Sequence, residues 1–232
     1  MKRLLCLCGV LVFPAHLLSS SPSLADVDDL SNGVFIAHNP PGLQFTDAAP
    51  PEGWCQHYYD NFAIHTCEEQ NPMLGGEVGD GSVWFVLCAW CEEKMWSGTA
   101  FGFESYDQNI FGFIEWDHCC NPGGFCLELT TGPWPGPEAG TTFVTTGGGD
   151  WSGNFTPVYY FVGYAYAQGV MPLGPDPHDP LGGWINCAPI PEAFEATCLG
   201  AMGIFTDGVE CCPEGPTPTE GTTWGLIKSF YH

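Results

Sequence analysis

Two acids separated by one residue, Glu115-Trp116-Asp117, are the sequence's best opening for catalysis. In an extended segment, side chains two apart share a face, so both carboxylates stand together beside aromatic residues. Carboxyl pairs of this kind cleave glycosidic bonds. A second cluster has metal-ligand spacing: Cys88-Ala89-Trp90-Cys91, with His118-Cys119-Cys120 offering further donors. No second Cys-x-x-Cys pairs with it, and strand alternation points Cys88 and Cys91 apart, so structural disulfides are expected and no metal is assigned. His57, His65, His118 and His178 lack His-x-x-x-His and His-Glu-x-x-His spacing. There is no Gly-x-Ser-x-Gly elbow and no phosphate-cradling loop ending in Lys; Gly147-Gly148-Gly149-Asp150 reads as a turn. Calcium oxygens are available from Asp26, Asp28 and Asp29, or from Asp176 with Asp179, but neither group matches an EF-hand loop. An exposed acidic terminus and a solvated Pro-rich loop are expected instead, and no cofactor is assigned.

The carboxylate pair is similar to the Glu-x-Asp-x-x-Glu run of laminarinase-like glycoside hydrolases, with one departure. Cys120 stands where that run carries its final acid, the proton donor the mechanism requires. Catalytic residues are therefore none, with Glu115 and Asp117 as the alternative. Sugars also stack on exposed aromatic rings, and three of the nine tryptophans, Trp134, Trp151 and Trp184, sit among Gly and Pro as candidates for that role. Core or loop-anchor packing is the expected role of each.

Something must hold these residues, and the chain's ends say where. Met1-Lys2-Arg3 is basic, Leu4 to Leu18 is largely apolar, and Ser23-Leu24-Ala25 offers small residues to a signal peptidase. Residues 1–25 are read as a signal peptide, too short and interrupted to span a bilayer. Beyond it, 27 acids face two lysines, Lys94 and Lys228, and no arginine. Phosphate neutralisation needs clustered Lys or Arg, so nucleic acid is excluded as a partner, and anionic membrane surfaces are excluded with it. A glycan or a protein is the partner left open.

Of the 13 cysteines, Cys6 and Cys8 fall in the leader. The others are Cys55, Cys67, Cys88, Cys91, Cys119, Cys120, Cys126, Cys187, Cys198, Cys211 and Cys212, an odd number, so at least one is not in an intrachain bond. In an exported chain they are read as a disulfide framework in an oxidising compartment. Short loops suggest Cys55 with Cys67 and Cys187 with Cys198. The adjacent pairs Cys119-Cys120 and Cys211-Cys212 are expected to tie to different partners.

With 31 Gly and 21 Pro, the pattern is strands and turns. Val34 to Ala37 is a short strand between turn markers, and Gln56 to Cys67 carries aromatic and β-branched residues. Ser82 to Cys91 sets Val83, Phe85 and Leu87 on one face and Trp84, Val86 and Trp90 on the other. A strand apolar on both faces is covered on both sides, which makes it the central strand. Phe101-Gly102-Phe103 and Phe111-Gly112-Phe113 read as two arms of a hairpin. Later strands are Leu127 to Thr131, Thr141 to Thr146, Pro157 to Ala167 and Leu199 to Phe205; only Pro191 to Thr197 offers a turn or two of helix. Residues 26–212 are thus expected to form one all-β domain, an antiparallel β-sandwich or jelly roll stapled by disulfides. Residues 213–222 form a Pro/Thr linker and residues 223–232 a short aromatic C-terminal tail.

Gly33-Val34-Phe35-Ile36-Ala37-His38, Trp134-Pro135-Gly136-Pro137, Trp151-Ser152-Gly153-Asn154-Phe155, Leu199-Gly200-Ala201 and Thr223-Trp224-Gly225-Leu226-Ile227-Lys228 together resemble exported proteins of environmental bacteria. The resemblance covers most of the mature chain; it implies export and transfers no active site. The expectation is a secreted or cell-surface interaction module without catalysis, the alternative a glycan binder or glycoside hydrolase using Glu115 and Asp117. The tail adds candidates for sorting, Trp224, Ile227 and Lys228. Deleting residues 222–232 separates an address from a packed clasp: an address lost leaves the melting temperature unchanged and mislocalises the protein, whereas a clasp lost lowers the melting temperature.

Overall fold

The computed structural model describes residues 29–45, 49–120, 125–146, 151–177 and 182–214. Twelve strands carry the fold: β1 Val34–His38, β2 Met73–Leu74, β3 Gly81–Phe103, β4 Phe111–His118, β5 Phe125–Thr131, β6 Gly140–Thr146, β7 Trp151–Ala165, β8 Gly169–Gly174, β9 Gly183–Asn186, β10 Ala193–Glu195, β11 Cys198–Leu199 and β12 Ala201–Ile204. Among the described residues one helix, α1, spans Trp54–Asn61, and a single 3-10 turn covers Cys67–Glu69. The all-β expectation holds, with the strands joined in one curled, mostly antiparallel sheet; β1–β11 and β12–β2 are its parallel pairs.

The expected central strand is β3, longer than its apolar run suggested. Along Phe85 to Ala89 it pairs with β1 on one edge and β7 on the other. Further along, Gly98 to Ala100 pair with β6 and β9. Register shifts at Val86/Leu87, Ala89/Lys94 and Trp96/Gly98 bend it, as extra residues in one strand of a pair do. Its alternating faces feed two separate cores. Trp84, Val86, Cys88 and Trp90 join Trp96, Phe101, Phe103, Phe143, Trp151, Tyr159, Phe161 and Trp184 inside the curl. Val83, Phe85, Leu87 and Ala89 pack on the other side against Val34, Ile36, Trp54 and Tyr58.

Helix α1 replaces the extended segment expected at Gln56 to Cys67. Trp54 and Tyr58, four residues apart, lie on one helical face and are both buried. The Tyr58 and Phe85 ring centroids are 4.5 Å apart, so the aromatic residues that suggested a strand serve a helical period instead. At Pro191 to Thr197 the exchange runs the other way: Ala193 to Glu195 pair with β9 as a strand rather than forming a helical turn.

The Phe101/Phe111 hairpin is also corrected. β4 pairs with β7, not with β3, and Phe101 to Phe103 pair with β6 and β8, so the two Phe-Gly-Phe segments share no ladder. Phe103 and Phe113 still meet, with centroids 6.0 Å apart, across the inside of the curl. Gly163 on β7 lets β4 approach closely, since a Cβ there would run into the Gly112 carbonyl and the Phe111 ring.

Four disulfides join Cys55–Cys119, Cys67–Cys212, Cys120–Cys126 and Cys198–Cys211. The adjacent cysteines tie to different partners as expected. The local staples Cys55–Cys67 and Cys187–Cys198 do not form: α1 carries Cys55 to the end of β4, and Cys198 beside β1 meets Cys211 instead. Cys88, Cys91 and Cys187 lie outside these bonds. The framework suits an oxidising compartment, and among the described residues no helix is long and apolar enough to cross a membrane. Residues 1–25, read from the sequence as a signal peptide, and the C-terminal tail, with Trp224, Ile227 and Lys228, lie outside the described residues.

His38 closes β1 fully buried. Its Nδ1 accepts a hydrogen bond from the Asn71 backbone N–H at 3.0 Å, which places the neutral ring's proton on Nε2. Burial lowers its pKa from 6.5 to about 4, against a small opposing pull from Glu69. The unfolded chain therefore gains a proton below about pH 6.5, while the native state resists until about pH 4. Stability falls across that window. Urea unfolding of wild type and of the non-titrating His38→Asn variant at pH 7.5 and 4.5 should show wild type losing roughly 2–3 kcal/mol more.

Candidate functional site

β4 and β5 are the outer strands of the run β4–β7–β3–β6–β5. The curl returns them to each other, and Cys120–Cys126 joins them where β4 ends and β5 begins. The seam between them gathers most of the residues with chemistry.

Glu115 and Asp117 do share a face of β4. They lie opposite Val162 and Tyr160, and a register shift between Phe113 and Glu115 sets their phase. The Tyr160 hydroxyl donates to Glu115 Oε1 at 2.8 Å. Burial, then the neighbouring Glu115 and Asp117, push that hydroxyl well above the usual tyrosine range, so it remains a donor and Glu115 an acceptor. Asp117 accepts from the His118 backbone N–H at 2.8 Å. Trp116, between them, points to the opposite face, across from Phe161; it is 38% exposed and meets the Phe113 ring edge-on. A cleft of about 220 Å³ opens elsewhere, beside Asp29, Ser31, Trp90, Cys91, Lys94 and Glu214, and neither carboxylate lines it.

The tryptophans proposed for sugar contact take structural positions. Trp151 and Trp184 are not loop residues: both lie in strands and are buried. Trp151 Nε1 donates to the Cys119 carbonyl at 2.8 Å. Trp184 stacks on Phe35 at 4.8 Å and donates to Cys88 Sγ. Trp134 does sit in its Pro-rich loop, half-buried, stacked on Phe103 at 5.4 Å, with its Nε1 donating to the Tyr159 hydroxyl at 3.0 Å. A flat aromatic platform is not made from these three.

Of the calcium candidates, Asp29 is exposed and accepts from the Ser31 N–H. Asp176 is not solvated but 1% exposed, its two oxygens accepting from Thr131 Oγ1 at 3.0 Å and Thr142 Oγ1 at 2.9 Å. This carboxylate ties its loop to β5 and β6. Asp26, Asp28 and Asp179 lie outside the described residues.

Two features of the seam escaped the sequence analysis. Glu128, on the inner face of β5, accepts hydrogen bonds at Oε1 from Thr141 Oγ1 at 2.7 Å and from the Tyr159 hydroxyl at 2.9 Å. Burial, reinforced by the charge of Glu128, raises the Tyr159 hydroxyl far above its ordinary range, so this donor is also permanent. Glu128 comes within reach of Asp117 and His118, which no local motif announces. The outer face of β5 is the second: Phe125, Leu127 and Leu129 are 66%, 49% and 63% exposed, an apolar row at period two on a strand that, among the described residues, pairs along β6 alone.

Comparison with family models, curated proteins and solved structures gives no match for this chain.

Cys88 is fully buried, and burial pushes its thiol well above the usual thiol range, whereas Cys91, three residues on, is exposed. Thiolate character and access set reactivity. Iodoacetamide labelling of the native, unreduced protein should modify Cys91 and spare Cys88, with Cys88 reacting only in denaturant. Native labelling of Cys88 would contradict its place in the core.

Proposed function

We propose that this is an exported, disulfide-stapled module that works by binding a macromolecular partner outside the cell, without catalysis of its own. The apolar row Phe125, Leu127 and Leu129 carries this assignment. Large apolar side chains repeated on one face of an outer strand are a recognition surface when the rest of the chain is this acidic. The leader sequence, the four disulfides and the resemblance to exported bacterial proteins support the location. The fixed hydrogen bond from Tyr160 to Glu115, and the absence of an acid at Cys120, weigh against hydrolysis.

A glycan-active role is the second reading, favoured by Glu115 and Asp117 on one face of β4 and the half-exposed Trp116 on the other. Photo-crosslinking from position 127 in the native setting, with position 78 as control because Val78 is also exposed, tests the first. A discrete adduct from 127 and none from 78 is expected. A polysaccharide hydrolysis screen and a glycan array run beside it. Turnover abolished by Glu115→Gln or Asp117→Asn, with no adduct from 127, would replace the binding module with a hydrolase.

A further inference from the structure

The seam holds a donor set that its surroundings do not neutralise. Asp117 and His118 from the end of β4, and Glu128 from β5, bring one ligand atom each to within 4.8 Å of one another. His118 with Cys120 and Cys126 makes a second such group. In the oxidised chain, however, those two sulfurs are bonded to each other and offer no thiolate. The nitrogen–oxygen set remains.

Three observations beyond proximity point to a ligand. His118 Nδ1 is buried and makes no hydrogen bond among the described residues. It lies 3.5 Å from Asp117 Oδ1, long for a hydrogen bond but near the roughly 3.3 Å that separates two donors around a tetrahedral ion with bonds of about 2.0–2.1 Å. Glu128 is held in place at one oxygen by Thr141 and Tyr159, with Trp134 fixing Tyr159 in turn. Outer-shell donors orient metal-binding carboxylates in this way. Finally, the sequence has no lysine or arginine between Lys94 and Lys228, so the segments that build the seam supply no fixed cation to the two carboxylates.

We propose that Asp117, His118 and Glu128 bind one divalent transition-metal ion of the zinc class. Two carboxylates balance its charge, and the imidazole selects it over calcium, which takes oxygen ligands alone. The three protein ligands leave a fourth position to water or to a donor from a partner. The ion links β4 to β5, which share no ladder, beside the Cys120–Cys126 bond. This assignment is independent of the binding role proposed above.

The test uses the full chain with its disulfides intact, freed of metal by chelator and dialysis. Calorimetric titration with zinc chloride should show one site per chain, and zinc should raise the melting temperature. Cobalt(II) should give visible d–d bands without the near-ultraviolet thiolate charge-transfer band. His118→Gln and Asp117→Asn should each weaken zinc binding about tenfold or more, while Cys91→Ser leaves it unchanged. Melting curves of the metal-free variants check that folding is intact; Asp117, half-exposed, takes no part in the hydrogen bonds that hold Glu128. Absence of saturable binding, affinity unchanged in both variants, or a thiolate band lost in Cys91→Ser would each overturn the site.

Discussion

Strand β3 is buried on both faces for most of its length, and a strand in that condition has to be covered twice. The sheet meets the demand by curling. One face of β3 becomes the lining of the curl, where tryptophans and phenylalanines from β3, β6, β7 and β9 interlock; the other is covered by α1, with Val34 and Ile36 of the neighbouring β1 sharing that face. Truncating any of these buried aromatics removes about 3–5 kcal/mol, so the curl is not an optional shape. Everything at the seam follows from it, because β4 and β5 come together only if the strands between them bend around that aromatic filling.

Disulfides then fix which way the outer strands face. A strand slipped or turned by one residue sends every side chain to the opposite side. On hydrophobicity alone, β5 would put Phe125, Leu127 and Leu129 inward and leave Cys126 and Glu128 in water. The Cys120–Cys126 bond holds the reverse, and Glu128 then meets two hydroxyl donors inside instead of solvent. An apolar surface row and an inward carboxylate are two results of one covalent choice. Near the other end of the same strand, Asp176 shows how a buried charge is tolerated, with a threonine hydroxyl on each oxygen.

The central strand was legible because its signal is local: apolar residues on both faces, bounded by Gly81 and continuing through Cys91. β5, β6, β7 and β12 were legible for the same reason, whereas the short β8 and β9 were not read from the sequence. Connectivity was not. The two Phe-Gly-Phe segments looked like partners because they are close in sequence, yet β7 enters between β4 and β3 from some fifty residues downstream. Aromatic content misread α1, where Trp54 and Tyr58 at a spacing of four carried the better clue. The pair Glu115 and Asp117 was visible as a motif. Its neighbour Glu128 was not, since its approach to His118 depends on the closure of the curl.

The bond between Cys67 and Cys212 closes a loop 145 residues long that contains nearly the whole sheet. A protease that cuts the backbone once anywhere inside that loop produces two fragments that still cannot separate. The β5 edge, the Trp134 loop and the Asp176 loop can each be nicked while the protein remains a single covalent body. Degradation of such a chain has to proceed by reduction first or by several cuts, and durability outside a cell becomes a property of its connectivity as much as of its folding energy.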